Sequence, residues 1–211
     1  MKIIGHAGAA GLAHANTAAS FRAASAAGVD AIEFDVRVTQ DDVVVVQHDP
    51  NIRGVPIAAS SYADLLSLDA DLLTLQQALA LVQDIDLFVE IKPNVRLAPI
   101  ITELSTVDRA RISILSFDSR ILARCADMLP DIPRYALEKW STWHLRRKLR
   151  LGRTRRAIMR HTSLWSMYIR LLTRSGIELY TYTLDDPKKA ARFARSGLTG
   201  VITDFPDRFK R

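Results

Sequence analysis

A chain of 211 residues with 48% apolar composition can bury the core of one large α/β domain, which excludes a disordered or fibrous protein. The lone Cys125 excludes a disulfide framework, and no apolar run approaches the roughly eighteen residues of a membrane span. The net charge of +6 hides an asymmetry: residues 139–174 hold eleven Lys or Arg and no Asp or Glu, so the rest of the chain is net negative.

In chain order, Lys2 to Ile4 is a short apolar strand ending at Gly5-His6. Gly5, His6, Gly8 and Gly11 interrupt any continuous apolar stretch, so no signal peptide is read and a cytoplasmic protein is expected. Asn16-Thr17 can cap a helix that runs to about Ala27 and stops at Gly28. From Ala31 to Val38 the sequence alternates. Ile32, Phe34, Val36 and Val38 face one way, and Glu33, Asp35 and Arg37 the other, which is the period of a strand. Two carboxylates about 7 Å apart along one strand face need a cation or a proton if that face lines an interior.

A second strand over 43–48 delivers His48-Asp49, and Pro50, Gly54 and Pro56 mark a loop. Ser60-Ser61 starts a short helix around Leu65, and Leu73 to Gln83 is amphipathic. Asp86 to Lys92 is a strand closed by Pro93. Then come a helix over Leu97 to Leu104, a strand over Arg111 to Leu115, a helix over Ser119 to Met128 and a strand over Pro133 to Leu137. The basic segment reads as helical with a break at Gly152, followed by a short strand over Thr162 to Ser166 and a helix over Met167 to Arg174. The strand Ile177 to Thr183 leads to Asp185-Asp186-Pro187, an acidic cap with proline in the first helical turn. Thr199 to Thr203 is the last strand, followed by Asp204. The alternation indicates parallel βαβ units without an internal linker, so residues 1–211 read as a single domain. No Gly-rich nucleotide fingerprint follows a strand, which favours a (β/α)8 TIM barrel over an open doubly wound sheet.

In such barrels chemistry collects at the C-terminal ends of strands. His6, Glu33, Asp35, His48, Glu90, Lys92, Tyr182 and Asp204 all fall late in a strand or just after one. Singly they have bland readings: a hydrogen-bonded structural histidine, a solvated strand face, a Glu90–Lys92 ion pair. At successive strand ends they read as a site. Three carboxylates suit a hard divalent cation such as Mg2+ or Ca2+, and two histidines can act as acid and base on either side of a reacting phosphate. His144 and His161 read as surface residues. Trp140, Trp143, Leu145, Leu149 and Leu151 interleave with the basic residues of 139–174. That pattern is shared by solvated helix faces and by interfacial helices, and it favours an anionic membrane surface over nucleic acid, for which no role is expected.

Gly5-His6-Ala7-Gly8, Asn16-Thr17, the block Gly28 to Asp41, Val45-Val46-Gln47-His48-Asp49, Glu90-Ile91-Lys92-Pro93, Tyr182-Thr183-Leu184-Asp185 and Gly200 to Pro206 stand in an order that resembles the glycerophosphodiester phosphodiesterase family. This family belongs to the phospholipase C-like phosphodiesterase group. The resemblance implies a TIM barrel and metal-dependent hydrolysis of glycerophosphodiesters to glycerol 3-phosphate and an alcohol. It implies Glu33, Asp35 and Glu90 as metal ligands and His6 and His48 as the acid–base pair. Lys92 would stabilise phosphate charge, and Tyr182 would stand for an aromatic, usually Trp, beside the substrate. In the family the substrate's glycerol hydroxyl attacks first, giving a cyclic phosphate that water opens.

Two positions depart from the family. His-Arg-Gly is here His6-Ala7-Gly8, and Pro-Glu-Asn-Thr is His14-Ala15-Asn16-Thr17, so a phosphate-gripping arginine and a glutamate near the metal are absent. Losing such a donor can cost ~100–1,000-fold in rate. Lys92, Arg37 and Arg53 are the candidate substitutes. The expected function is a phosphodiesterase on a glycerophosphodiester or lysophospholipid-type diester. The alternative is a catalytically impaired barrel of the same family that binds or regulates.

Overall fold

The computed structural model describes residues 1–140 and 142–209. Eight parallel strands close on themselves: β1 (Lys2–Gly5), β2 (Ala31–Val38), β3 (Asp86–Ile91), β4 (Ile112–Ser116), β5 (Arg134–Glu138), β6 (Arg156–Arg160), β7 (Glu178–Tyr182) and β8 (Gly200–Thr203). Neighbours in sequence are neighbours in the sheet, and β1 pairs both β2, with Gly5 opposite Ile32, and β8, with Gly5 opposite Thr203. That closure excludes the open doubly wound sheet and makes the fold a (β/α)8 TIM barrel.

Seven of the connections between barrel strands carry helices: α1 (Ala18–Ala26), α2 (Tyr62–Leu68) with α3 (Leu75–Leu81), α4 (Leu97–Ser105), α5 (Ser119–Met128), α6 (Thr142–Leu151), α7 (Ser166–Arg174) and α8 (Pro187–Ala194). Their starts follow side-chain chemistry. Thr17 and Thr74 form capping boxes with Ser20 and Gln77, and Asp118 and Asp186 accept from the first-turn N–H groups of α5 and α8.

Period-two alternation divides the core. Ile32, Phe34 and Val36 of β2 point outward and pack with Phe21, Ile100, Leu122 and other helix residues. The inward residues Ile4, Ala31, Phe88, Leu115, Tyr135, Leu137, Ile158, Tyr180 and Ile202 fill the barrel. Phe88, Tyr135 and Tyr180 form a plug, with ring centroids 5.1–5.7 Å apart. The barrel is therefore packed through its middle and carries its carboxylate ladder at the C-terminal mouth.

Two sequence-level expectations are corrected. The strand expected over 43–48 is shorter, Val44–Val46, and pairs antiparallel with β2 outside the barrel. Five residues join the two, too few for the crossover that a parallel pair requires. The basic segment is not helical throughout. Arg156–Arg160 is barrel strand β6, whereas residues 162–166 are a short 3-10 turn and the start of α7. Only Ala157, Ile158 and Met159 are apolar there, and pairing with β5 and β7 decides the conformation.

Candidate active site

The register of β2 against β3 creates the centre of the mouth. Asp35 and Glu90 are Cα partners across the two strands, and Glu33 lies two residues before Asp35 on the same inward face. One oxygen from each of Glu33, Asp35 and Glu90 lies within 4.8 Å of the others, and all three residues are buried. Lys92, the next inward residue after Glu90, is only 6% exposed. Its Nζ stands 2.6 Å from Asp35 Oδ1 and 2.7 Å from Glu90 Oε1.

The three carboxylates divide electrically. Burial and the neighbouring Asp35 charge raise the Glu33 carboxyl to about 8, against the pull of His6. Burial and Asp35 also raise Glu90, although Lys92 opposes them. Burial would raise Asp35 too, but the Lys92 charge and hydrogen bonds from Lys92 and Asn16 hold it below the usual carboxylate range. Asn16 Nδ2 donates to Asp35 Oδ2 at 2.8 Å from a left-handed backbone conformation, φ 61°. A cluster that retains a proton despite an inserted lysine is short of positive charge, and three oxygen donors at this spacing fit a hard divalent cation.

His6 follows β1 and reaches this cluster from the side. Its Nδ1 is 2.6 Å from Asp204 Oδ1, and its Nε2 is 4.0 Å from Glu33 Oε2. Burial disfavours its charged form, yet the Asp204 hydrogen bond and the Glu33, Asp204 and Asp35 charges prevail and raise it to about 9. Asp204 is held in turn, because its N–H and the Thr203 hydroxyl both donate to Asp185 Oδ1. The loop after His6 turns sharply back. Ala7 N–H donates to Glu33 Oε2 at 3.1 Å, and the Ala7 carbonyl accepts from Ser20 Oγ. Gly8 sits at φ +86°, where an added Cβ would come within 2.4 Å of Ser20 Oγ, so this turn requires glycine.

His48 lies on the loop beyond the short outer strand, well exposed, with Nδ1 2.8 Å from Asp49 Oδ1. Arg37 fixes that loop by donating through Nε and Nη2 to the His48 carbonyl, at 3.0 and 2.7 Å. His48, Arg37, Lys92, Lys139 and Lys148 line a cavity of about 430 Å3 together with Glu90 and Glu138. Lys139 Nζ and Lys148 Nζ stand 5.0 and 5.3 Å from the Phe117 ring centroid. Tyr182 faces the same interior, its ring 6.2 Å from Phe117. Burial and then the Glu90 charge raise its hydroxyl, which has no hydrogen-bond partner among the described residues.

All eight residues singled out from the sequence thus gather at one mouth: His6, Glu33, Asp35, His48, Glu90, Lys92, Tyr182 and Asp204. Of the substitutes for the absent arginine, Arg37 and Lys92 line the cavity, whereas Arg53 lies exposed in the turn between two short outer strands. Sequence reasoning gave Lys139 and Lys148 only a share in the basic segment read as a membrane contact, gave Glu138 no role, and left Asp204 and Asn16 without their partners. A residue 198 positions from His6 carries no local sign of that contact beyond its place after a strand. His161, read as a surface residue, is half-buried and binds the Thr183 carbonyl through Nδ1.

Comparison with known proteins agrees with this geometry. The profile of the glycerophosphoryl diester phosphodiesterase family matches residues 6–208. YhdW of Bacillus subtilis is 28% identical, with 98% of this chain and 96% of that protein covered. A glycerophosphodiester phosphodiesterase of Caldanaerobacter subterraneus subsp. tengcongensis is 26% identical over 97% of this chain and 94% of its own. Among solved structures, an Oleispira antarctica phosphodiesterase in complex with the product sn-glycerol-3-phosphate shares the fold with a TM-score of 0.87. It has 21% identity, and 99% of this chain and 95% of that one are covered. With the profile spanning the chain from His6, directly after β1, to the last turn, the chain belongs to the glycerophosphoryl diester phosphodiesterase family.

Proposed function

We propose that this chain is a metal-dependent phosphodiesterase that hydrolyses glycerophosphodiesters to glycerol 3-phosphate and an alcohol, or related lysophospholipid-type diesters to the acylated glycerol phosphate and an alcohol. The observation that carries this reading is the buried Glu33–Asp35–Glu90 triad at the barrel mouth, flanked by His6 and by a cation-lined cavity that contains His48. Glu33, Asp35 and Glu90 would hold Mg2+ or Ca2+, which when bound supplies Lewis-acid polarisation of a phosphate oxygen. Lys92, Arg37, Lys139 and Lys148 offer positive charge to the phosphate in place of the arginine that Ala7 lacks. The glycerol hydroxyl beside the ester would attack phosphorus and give its proton to one histidine, while the departing alkoxide takes a proton from the other. Water then opens the cyclic ester with the two roles reversed. Asp204 keeps His6 in one orientation throughout. Tyr182 would pack beside the substrate.

The test is release of choline from glycerophosphocholine and lysophosphatidylcholine with Mg2+, Ca2+ or EDTA, with glycerol 3-phosphate as the second product from the former only. Wild type should turn over only with a divalent ion, and His48→Ala and Glu33→Ala should lose ~100-fold or more. Ala7 and Ala15 motivate a second reading, a barrel that binds these diesters without turnover. It is established instead if the wild type binds metal and substrate and releases no product.

We place the same mouth at an anionic membrane surface. No described helix is long and apolar enough to cross a bilayer. Trp140, Trp143 and Trp165 are 72%, 71% and 55% exposed. Trp140 lines the cavity, Arg160 stands over its ring at 5.9 Å, and Ser163 binds the Lys139 carbonyl, so two neighbouring loops carry the aromatic rim. Exposed tryptophan beside Lys and Arg is the composition of an interfacial anchor. The protein would be cytoplasmic and peripheral, consistent with the buried free thiol of Cys125. Co-sedimentation with phosphatidylglycerol vesicles should fall in Trp143→Ala/Trp165→Ala, and equal recovery of both proteins would refute the contact.

A further inference from the structure

The structure splits the basic segment between the two ends of the barrel. α6 starts at the mouth and runs about 15 Å away from it, and β6 brings the chain back. Trp140, Trp143 and Arg160 therefore stay with the mouth, while Arg150, Arg153, Arg155 and Arg156 collect at the opposite face. There they line a cavity of about 590 Å3 with Arg134, at the N-terminal ends of β5, β6 and β7. Glu178 is the only carboxylate among the lining residues, against five guanidinium groups.

Four of these arginines are already held by one edge. Arg134 Nη1 donates to the Ile132 carbonyl at 2.8 Å, and Arg155 Nη2 to the Ser175 carbonyl at 2.7 Å. Arg153 Nη2 donates to the Ala123 carbonyl and to Asp127, and Arg156 Nε to Glu178 Oε2 at 2.9 Å. Each anchored fork keeps further N–H donors, so little side-chain freedom remains to be lost on binding. The Arg150 guanidinium has no hydrogen-bond or ion-pair partner among the described residues. The cluster is incomplete as it stands. Arg134 Nε is buried without an acceptor, and burial, with the charges of Arg153 and Arg156, pulls the Arg134 guanidinium below its ordinary value. A ligand carrying several negative charges and acceptor oxygens would offset this crowding of positive charge and accept from the guanidinium edges that line the cavity.

We infer that this basal arginine cavity is a binding site for a compact polyphosphate anion, separate from the catalytic mouth. The volume lies in the range of small-molecule sites. The lining contains no aromatic ring on which a nucleobase could stack, which points to the phosphates rather than to a base as the recognised part. Bidentate Arg–phosphate contacts suit the fork geometry. The site does not depend on the phosphodiesterase reading, because none of its residues lines the mouth cavity.

The test is calorimetric titration of the full chain with sodium tripolyphosphate, with EDTA present so that no divalent ion captures the probe. One saturable site is expected, with affinity at least tenfold weaker in Arg150→Ala/Arg155→Ala and unchanged in Glu33→Gln. Both arginines are exposed, so the double variant should melt with wild type in the absence of probe and keep diester turnover within twofold. Arg150→Lys/Arg155→Lys, which keeps charge but not the fork, should fall between wild type and the alanine variant. Three results would overturn the inference: no saturable binding, equal affinity in the alanine variant, or tenfold tighter capture of a single-stranded oligonucleotide through the same arginines, which would make this a nucleic-acid face.

Discussion

Lys92 stands in a position that a bound cation would make partly redundant. Its Nζ bridges Asp35 and Glu90 at 2.6 and 2.7 Å in a nearly closed environment. In Lys92→Met without metal, one more carboxylate of the triad must take up a proton at pH 7. Moving a carboxyl of ordinary pKa about 4 to neutrality costs about 1.36 kcal/mol per unit, so the upper bound is about 4 kcal/mol. Breaking a buried ion pair from one side costs a similar amount, roughly 3–5 kcal/mol. Removing the buried ammonium offsets part of this, leaving about 2–4 kcal/mol. For a chain of this size that is a fall in Tm of roughly 5–15 °C. Asp35 is held below the usual carboxylate range, so its share of the stability is present above the unfolded pKa and is lost as pH falls through the lower folded pKa. The Asp35 part of the gap between wild type and variant should therefore close only below about pH 4. Melting curves in EDTA, and in saturating Mg2+ or Ca2+, check both points, with the metal recovering most of the loss in the variant. A variant that melts within about 2 °C of wild type in EDTA, or the same metal-induced rise in both proteins, would refute the charge argument.

Other consequences follow from the same geometry. Because Glu33 holds a proton up to about pH 8, divalent-ion affinity should rise by up to about tenfold per pH unit from pH 6 and flatten near 8; calorimetry in Glu33→Gln should lose that slope. Gly8→Ala places a Cβ against Ser20 at a left-handed backbone position and should cost about 2–4 kcal/mol in urea unfolding, with weakened metal binding as Ala7 N–H leaves Glu33. Asp204→Asn removes the charge that orients His6, so kcat should fall about 10–100-fold with KM nearly unchanged, as measured by glycerol 3-phosphate release.

The sequence carried those features that depend on local periodicity. The alternation of β2 placed Glu33 and Asp35 on the barrel's inner face and Ile32, Phe34 and Val36 on its outer one, as observed. α5 occupies Ser119–Met128, as read, because Asp118 and the apolar stripe Ile121, Leu122 and Cys125 mark it locally. What escaped the reading depends on distant partners. β6 is a strand because β5 and β7 flank it, while its own Arg-Ala-Ile-Met-Arg has no alternation long enough to announce one. The wrong placement of Val44–Val46 had a legible remedy, since a short connection from β2 already implies a hairpin. Asp204 and Asn16 gained their roles only when closure of the barrel brought them to His6 and Asp35.

The same closure explains why the acidic ladder sits where it does. An inward carboxylate lower in the barrel would meet Phe88, Tyr135 and Tyr180, where the polar partner available is Glu178 at the opposite rim. Near the mouth the next inward step on β3 supplies Lys92, and the loop after β1 supplies an N–H and an imidazole. Even so, four carboxylates (Glu33, Asp35, Glu90 and Asp204) have only two cationic groups, Lys92 and His6, within 4.0 Å among the described residues, with Arg37 acting on Asp35 and Glu90 from farther off. Protonation of Glu33 reduces that imbalance in the metal-free protein, and a divalent ion would remove it without a proton. Metal binding and proton release are thus two descriptions of one charge deficit. The raised Glu33 carboxyl marks a cluster whose own cations do not balance its carboxylates.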